Sequence, residues 1–163
     1  MEDDRQRREA AVLLSARPCF QCGICASSCP VYRVAPAMNP RLSVDSILNR
    51  GVLPPDGTEW LCAYCLLCDQ RCPMGVSLTE ILMVLKNIST RQGQAPQNVV
   101  TTVTSILESG CVIADLGRVE KLRSSLGLPE LPKPDMQHIE KIFKMTGAST
   151  VQQREKEEEA GRR

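Results

Sequence analysis

Between Ser77 and Gly93 the apolar residues Leu78, Ile81, Leu82, Leu85 and Ile88 recur at steps of three and four, which keeps them on one side of an α-helix. Ser77 and Glu80 suit the two ends of a capping box and Gly93 suits a stop, so the pattern predicts a helix running to about Arg91. Upstream, "NPRLSVDSILNRG" has Asn39 as an N-cap, Pro40 at the first helical position and Gly51 past the end, with Leu42, Ile47 and Leu48 forming an apolar side. "LPPDGTE" then breaks regular structure. At the start, residues 3–16 place acids before a run of helix formers that ends ahead of Pro18. Ala10 to Leu14 are apolar in almost every direction, which predicts burial against a second element or another subunit. Beyond Pro96, "PQNVVTTVTSILES", "LGRVEKLRSSLG" and "PDMQHIEKIFKMTG" read as further helices, the last two separated by "LPELPKP". Alternation of period two is confined to ambiguous pieces such as "CVIAD", so the expected fold class is all-α. Nothing apolar follows Val151, and residues 150–163 are expected to form a charged, disordered tail.

Composition changes this picture in one respect. The chain has 163 residues, enough for one domain with extended ends, but only five aromatics against nine cysteines. Aromatic packing cannot supply much of the core, and a bound inorganic centre would help to hold it by coupling metal binding to folding. The formal charge is +1, with charge-dense ends and no basic block interleaved with aromatics, so nucleic acid is not an expected partner. The opening residues are acidic where a signal peptide would be basic and apolar, and runs such as "ILMVL" are too short to span a bilayer. A cytoplasmic protein without membrane insertion is therefore expected. Reducing conditions there turn the cysteines toward metal or redox chemistry rather than disulfides.

Eight of the nine cysteines form two matching runs. "CFQCGICASSCP" carries Cys19, Cys22, Cys25 and Cys29, and "CAYCLLCDQRCP" carries Cys62, Cys65, Cys68 and Cys72, every cysteine and the closing proline recurring at an offset of 43 residues. The C-x2-C-x2-C-x3-C-P spacing is that of bacterial ferredoxin-type cluster sites, in which the fourth cysteine serves the other cluster. Three thiols in a short turn can reach three corners of one cubane, while the fourth points elsewhere. Pro30 and Pro73 restrict Cys29 and Cys72 to extended backbone and so turn those thiols away from their own loops. The expected ligand sets are Cys19, Cys22, Cys25 and Cys72 for one [4Fe–4S] cluster, and Cys62, Cys65, Cys68 and Cys29 for the other. Backbone amides around both runs can donate to the sulfurs.

Structural zinc is the competing reading, although zinc sites use cysteine pairs separated by longer loops and leave the third cysteine of each run without a use. Cys111 stands alone and reads as a structural thiol. His138, the single histidine, has no neighbours that would make it a ligand or an acid–base group. Trp60 and Tyr64 flank the second run and could shield a cluster there or simply pack. No flavin fingerprint and no nucleophile–base pairing is present, so catalysis by this chain alone is not expected.

Thirty-two residues separate Cys29 from Cys62, and a capped helix lies between the runs, which favours a helical dicluster domain over the small ferredoxin fold. Taken together, "CFQCGICASSCP", the "NPR" helix, "WLCAYCLLCDQRCPMGV" and the late "LRSSLGLPELPKPD" resemble the small iron–sulfur C subunit of heterodisulfide reductase, from about Pro18 to Gly147. The resemblance implies a helical ferredoxin-like domain with two cysteine-rich loops between helices. It implies two [4Fe–4S] clusters relaying electrons from a flavin-containing A-like subunit to a catalytic B-like subunit, which in methanogens reduces the disulfide of coenzymes M and B. A hetero-oligomeric complex follows. The implied organisation is an N-terminal helix (1–17), the dicluster domain (18–95), a helical docking segment (96–149) and the tail (150–163). An iron–sulfur relay subunit of another oxidoreductase complex and a free diffusible ferredoxin are the alternatives.

Overall fold

A computed structural model describes residues 2–50, 57–112 and 116–148. Gly51, most of the "LPPDGTE" loop, the end of "CVIAD" and the tail after Ala148 lie outside the described residues, as do the expectations placed on them. The described elements are helical, with no strand among them. They are α1 (Glu2–Leu14), α2 (Ile24–Ser28), α3 (Pro30–Val34), α4 (Pro40–Asp45), α5 (Leu67–Gln70), α6 (Leu78–Arg91), α7 (Gln97–Ser109), α8 (Leu116–Ser125) and α9 (Met136–Thr146), with a 3-10 turn at Thr58–Leu61. The chain divides into two compact units, Met1–Gln94 and Ala95–Arg163.

In the first unit α6 is the central element. Leu78, Ile81, Leu82 and Leu85 are buried as the spacing predicts, and they pack with Ala16, Met38, Val44, Cys68 and Val76 in one apolar cluster. Burying such a side chain contributes about 1.5–3 kcal/mol. The N-terminus of α6 is held differently from expectation. Ser77 makes no capping bond. Instead the Asp69 carboxylate of α5 accepts from the Thr79 N–H at 3.1 Å and from the Thr79 hydroxyl, so a residue ten positions upstream caps the helix and ties it to α5. At its other end the Arg91 guanidinium donates to Glu9 of α1 at 2.6 Å. Val12 and Leu13 of α1 rest against the core, whereas Leu14 is half exposed.

Asn39 caps α4 as predicted, its side-chain oxygen accepting from the N–H groups of Arg41 and Leu42, with Pro40 at the first position. The apolar side differs, because Val44 is buried while Leu42 is 45 % exposed. The helix also widens after Asp45, and Ser46–Arg50 form a π-type turn.

In the second unit α7 packs with α9, and Asp135 caps α9 by accepting from the N–H groups of Gln137 and His138. Gly110 ends α7 at φ +72°, and a Cβ there would stand 2.2 Å from Pro134 Cγ, so both the turn and the close approach require glycine. No residue of α8 or α9 is buried. Among the described residues no helix is long and apolar enough to cross a membrane.

Candidate metal centres

The two cysteine runs form loops of the same backbone shape. Gln21 and Gly23 have φ of 63° and 80°, and their counterparts 43 residues on, Tyr64 and Leu66, have φ of 54° and 64°. Left-handed residues on either side of the middle cysteine curl successive N–H groups toward one side, the nest arrangement that favours anionic groups such as cluster sulfurs. Each loop then enters a short helix, α2 after Gly23 and α5 after Leu66, and the two helices pack against each other. Ser28 and Arg71, also 43 residues apart, meet across this contact, with Arg71 Nη1 donating to Ser28 Oγ at 3.2 Å. Equivalent residues touching each other mark a local two-fold relation between the runs.

Past α2 and α5 the chain crosses over. Cys29 has extended backbone (φ −75°, ψ 118°), and Pro30 starts α3 immediately after it. Two apolar cavities result, each with about 320 Å³ of atom-free space, partly open to solvent. One is lined by Cys19, Cys22, Cys25 and Cys72, the other by Cys62, Cys65, Cys68 and Cys29. The structure thus gathers the eight thiols into two groups of four, each made of three from one run and the fourth from the other. Helices α4 and α6 wall both cavities: Arg41, Val44 and Leu78 face the first, Pro40, Thr79 and Leu82 the second.

Cys22 and Cys65 are exposed, while Cys29 and Cys68 are buried. Four of the sulfurs accept hydrogen bonds: Cys19 from Gln21 Nε2 (3.6 Å), Cys72 from the Val76 N–H (3.4 Å), Cys62 from the Tyr64 N–H (3.5 Å) and Cys29 from the Tyr32 N–H (3.4 Å). Burial pushes the Cys25 thiol up, and burial with the neighbouring Asp69 carboxylate pushes Cys68 up to about 12. Metal loading must therefore expel protons from these thiols.

The lining fits iron–sulfur clusters: four thiols surround each space, and the backbone N–H groups of Val76, Tyr64 and Tyr32 donate to sulfurs there.

Other sequence candidates lie elsewhere. Trp60 is in neither cavity wall and donates from Nε1 to Ser89 Oγ on α6, which is a packing role. Tyr64 is 47 % exposed. His138 is on the α9 surface beside Asp135, and Cys111 follows α7 in the second unit. Arg41 and Asp69 escaped the sequence reading: no local spacing places Arg41 beside a cysteine group, and Asp69, although it directly follows Cys68, shows no sign in the sequence of its bond to Thr79.

The 4Fe-4S dicluster domain family matches residues 15–76, spanning both runs. The C subunit of ferredoxin:CoB-CoM heterodisulfide reductase from Methanosarcina mazei is 30 % identical over 79 % of this chain and 80 % of its own length. The chain belongs to the family of heterodisulfide reductase C subunits. A second such relative, an iron-sulfur C subunit of CoB–CoM heterodisulfide reductase from Methanocaldococcus jannaschii, is 31 % identical over 82 % of this chain and 75 % of its own. A protein of Archaeoglobus profundus named as like the heterodisulfide reductase C subunit is 32 % identical over 78 % and 71 %. The cofactors of this C-subunit family member are two [4Fe–4S] clusters, in agreement with the expectation from the cysteine spacing.

Proposed function

We propose that this chain carries single electrons between an A-like flavin subunit and a B-like disulfide-reducing subunit of a heterodisulfide reductase complex. The proposed ligands are Cys19, Cys22, Cys25 and Cys72 at the first site, and Cys62, Cys65, Cys68 and Cys29 at the second. One observation carries the reading: each cavity has four thiols in its wall. Four protein ligands leave a cubane no open position for substrate, so such a site can pass electrons but has no vacant iron on which to reduce a disulfide. Cys22 and Cys65 stand at the surface, one at each site, and bring both within reach of a partner's redox centre. The second unit supplies docking surface, because Leu122, Leu126, Leu128, Ile142 and Met145 remain exposed on α8, α9 and the turn between them.

The test is anaerobic purification of the chain from the cells that make it, with iron, acid-labile sulfide and zinc counted per chain and an EPR spectrum taken after dithionite reduction. About eight irons, two magnetically interacting reduced cubanes and co-elution with a flavoprotein and a second cysteine-rich subunit are expected. A chain that runs alone at native abundance would defeat the subunit reading, and zinc without labile sulfide would defeat the cluster assignment.

A further inference from the structure

The two cysteine groups are matched in thiols but not in charge. Both groups receive hydrogen bonds to sulfur, the first through Gln21 and Val76 and the second through Tyr64 and Tyr32, and backbone amides also act on Cys25 and Cys68. Each group has one exposed member, Cys22 or Cys65, but the two buried thiols, Cys29 and Cys68, both belong to the second group. Ionic surroundings are different. Arg41 lines the first cavity, half-buried, its Cδ 3.8 Å from where a Cβ on Gly23 would stand. Among the described residues no carboxylate pairs with its guanidinium. The second cavity has no basic residue in its wall, and Cys68 Sγ lies 3.6 Å from Asp69 Oδ1.

Two other cations bear on the comparison. Lys86 donates to the Cys62 carbonyl at 3.3 Å and lies over the Trp60 ring, outside the second cavity, so it offsets part of the Asp69 charge. Arg71 lines neither cavity; it precedes Cys72 of the first group in the chain and bonds to Ser28, which precedes Cys29 of the second. Arg41 has no counterpart in the wall of the second cavity.

Net charge, hydrogen bonds to sulfur and exposure are the levers on the potential of an iron–sulfur centre, and here charge and burial both disfavour an added electron at the second site relative to the first. A fixed cation in a cavity wall stabilises an added electron, while an adjacent carboxylate opposes it. We infer that Arg41 makes the Cys19, Cys22, Cys25 and Cys72 site the higher in potential, so that an electron reaching this chain comes to rest at that site. The inference rests on the ligand sets proposed above. With clusters held by these two sets of cysteines, one electron would pass from the second site, oxidising it, to the first, reducing it, with no proton or leaving group involved.

The experiment is an EPR-monitored potentiometric measurement on the full chain loaded anaerobically with iron and sulfide. Cys22→Ser and Cys65→Ser label the spectra of the first and second sites. The signal altered by Cys22→Ser should be reduced first, and Arg41→Gln should lower its reduced-to-oxidised ratio at fixed ambient potential about tenfold, a shift of 59 mV for a one-electron couple. Arg41→Lys should restore most of that shift, which a role confined to packing would not. Reduction first of the signal altered by Cys65→Ser would overturn the inference, as would an equal shift of both signals in Arg41→Gln. If Arg41→Gln takes up less iron, the order of reduction in the unsubstituted chain still decides. A chain that binds no iron and sulfide at all would instead overturn the proposed function.

Discussion

Leu66 holds φ at 64°, a backbone state that the Cβ of an L-residue disfavours by about 1–2 kcal/mol. It does so because the second loop needs the same curl as the first, where the position is occupied by Gly23 at φ 80°. Strain of this kind persists where the surroundings over-determine it, and here packing of α5 against α2 and α6 does so. Leu66→Gly is therefore expected to leave the loaded protein as stable as before or to stabilise it by up to about 1 kcal/mol, whereas Gly23→Ala should cost about 1–2 kcal/mol although nothing stands closer than 3.8 Å to the new methyl. Anaerobic thermal unfolding of the two variants checks the opposite signs. At this scale the sequence was legible where residues repeat and illegible where they reach. The eight cysteines declare themselves by an offset of 43 residues, and the two cavity walls divide them three to one between the runs. Arg41 enters the first cavity only because α4 carries it there, and no local pattern encodes that. Asp69 replaces Ser77 as the cap of α6 for the same reason: the bond spans ten residues and depends on how α5 meets α6.

Among the elements, α4 and α6 each face both cavities, so neither site belongs to one run of the chain. The apolar spacing of α6 was readable because four buried side chains face one core, and that of α4 was misread at Leu42 because a six-residue helix gives too short a sample of its period. The crossing of the fourth thiols is carried by two short elements, α2 and α5, whose ends release Cys29 and Cys72 toward the opposite loop. Cys29→Ala is expected to damage the cluster held mainly by Cys62, Cys65 and Cys68, and Cys72→Ala the one held by Cys19, Cys22 and Cys25. Iron counts and EPR spectra of the two variants, labelled against the Cys22→Ser and Cys65→Ser spectra, check this. If each substitution disturbed only the cluster of its own run, the crossed assignment would be wrong.

At the scale of the whole molecule, the first unit is a pair of half-sites related by a local two-fold, with Ser28 and Arg71 meeting near the axis. Core and sites are continuous there, for Cys68 is a member of the apolar cluster and Cys19, Cys25, Cys62 and Cys72 pack against it. Filling one cavity on the proposed ligand sets pins three thiols of one loop and one of the other, and so removes in advance much of the chain freedom that the second filling would have to remove. The two fillings should favour each other. Native mass spectra taken with iron and sulfide below the full requirement are expected to show empty chains and doubly loaded chains, with singly loaded ones scarce; a dominant singly loaded species would show that the sites fill independently. On the proposed ligand sets the crossed thiols would thus act as an assembly check: a chain with a centre at one site and none at the other is the species this architecture would make rarest.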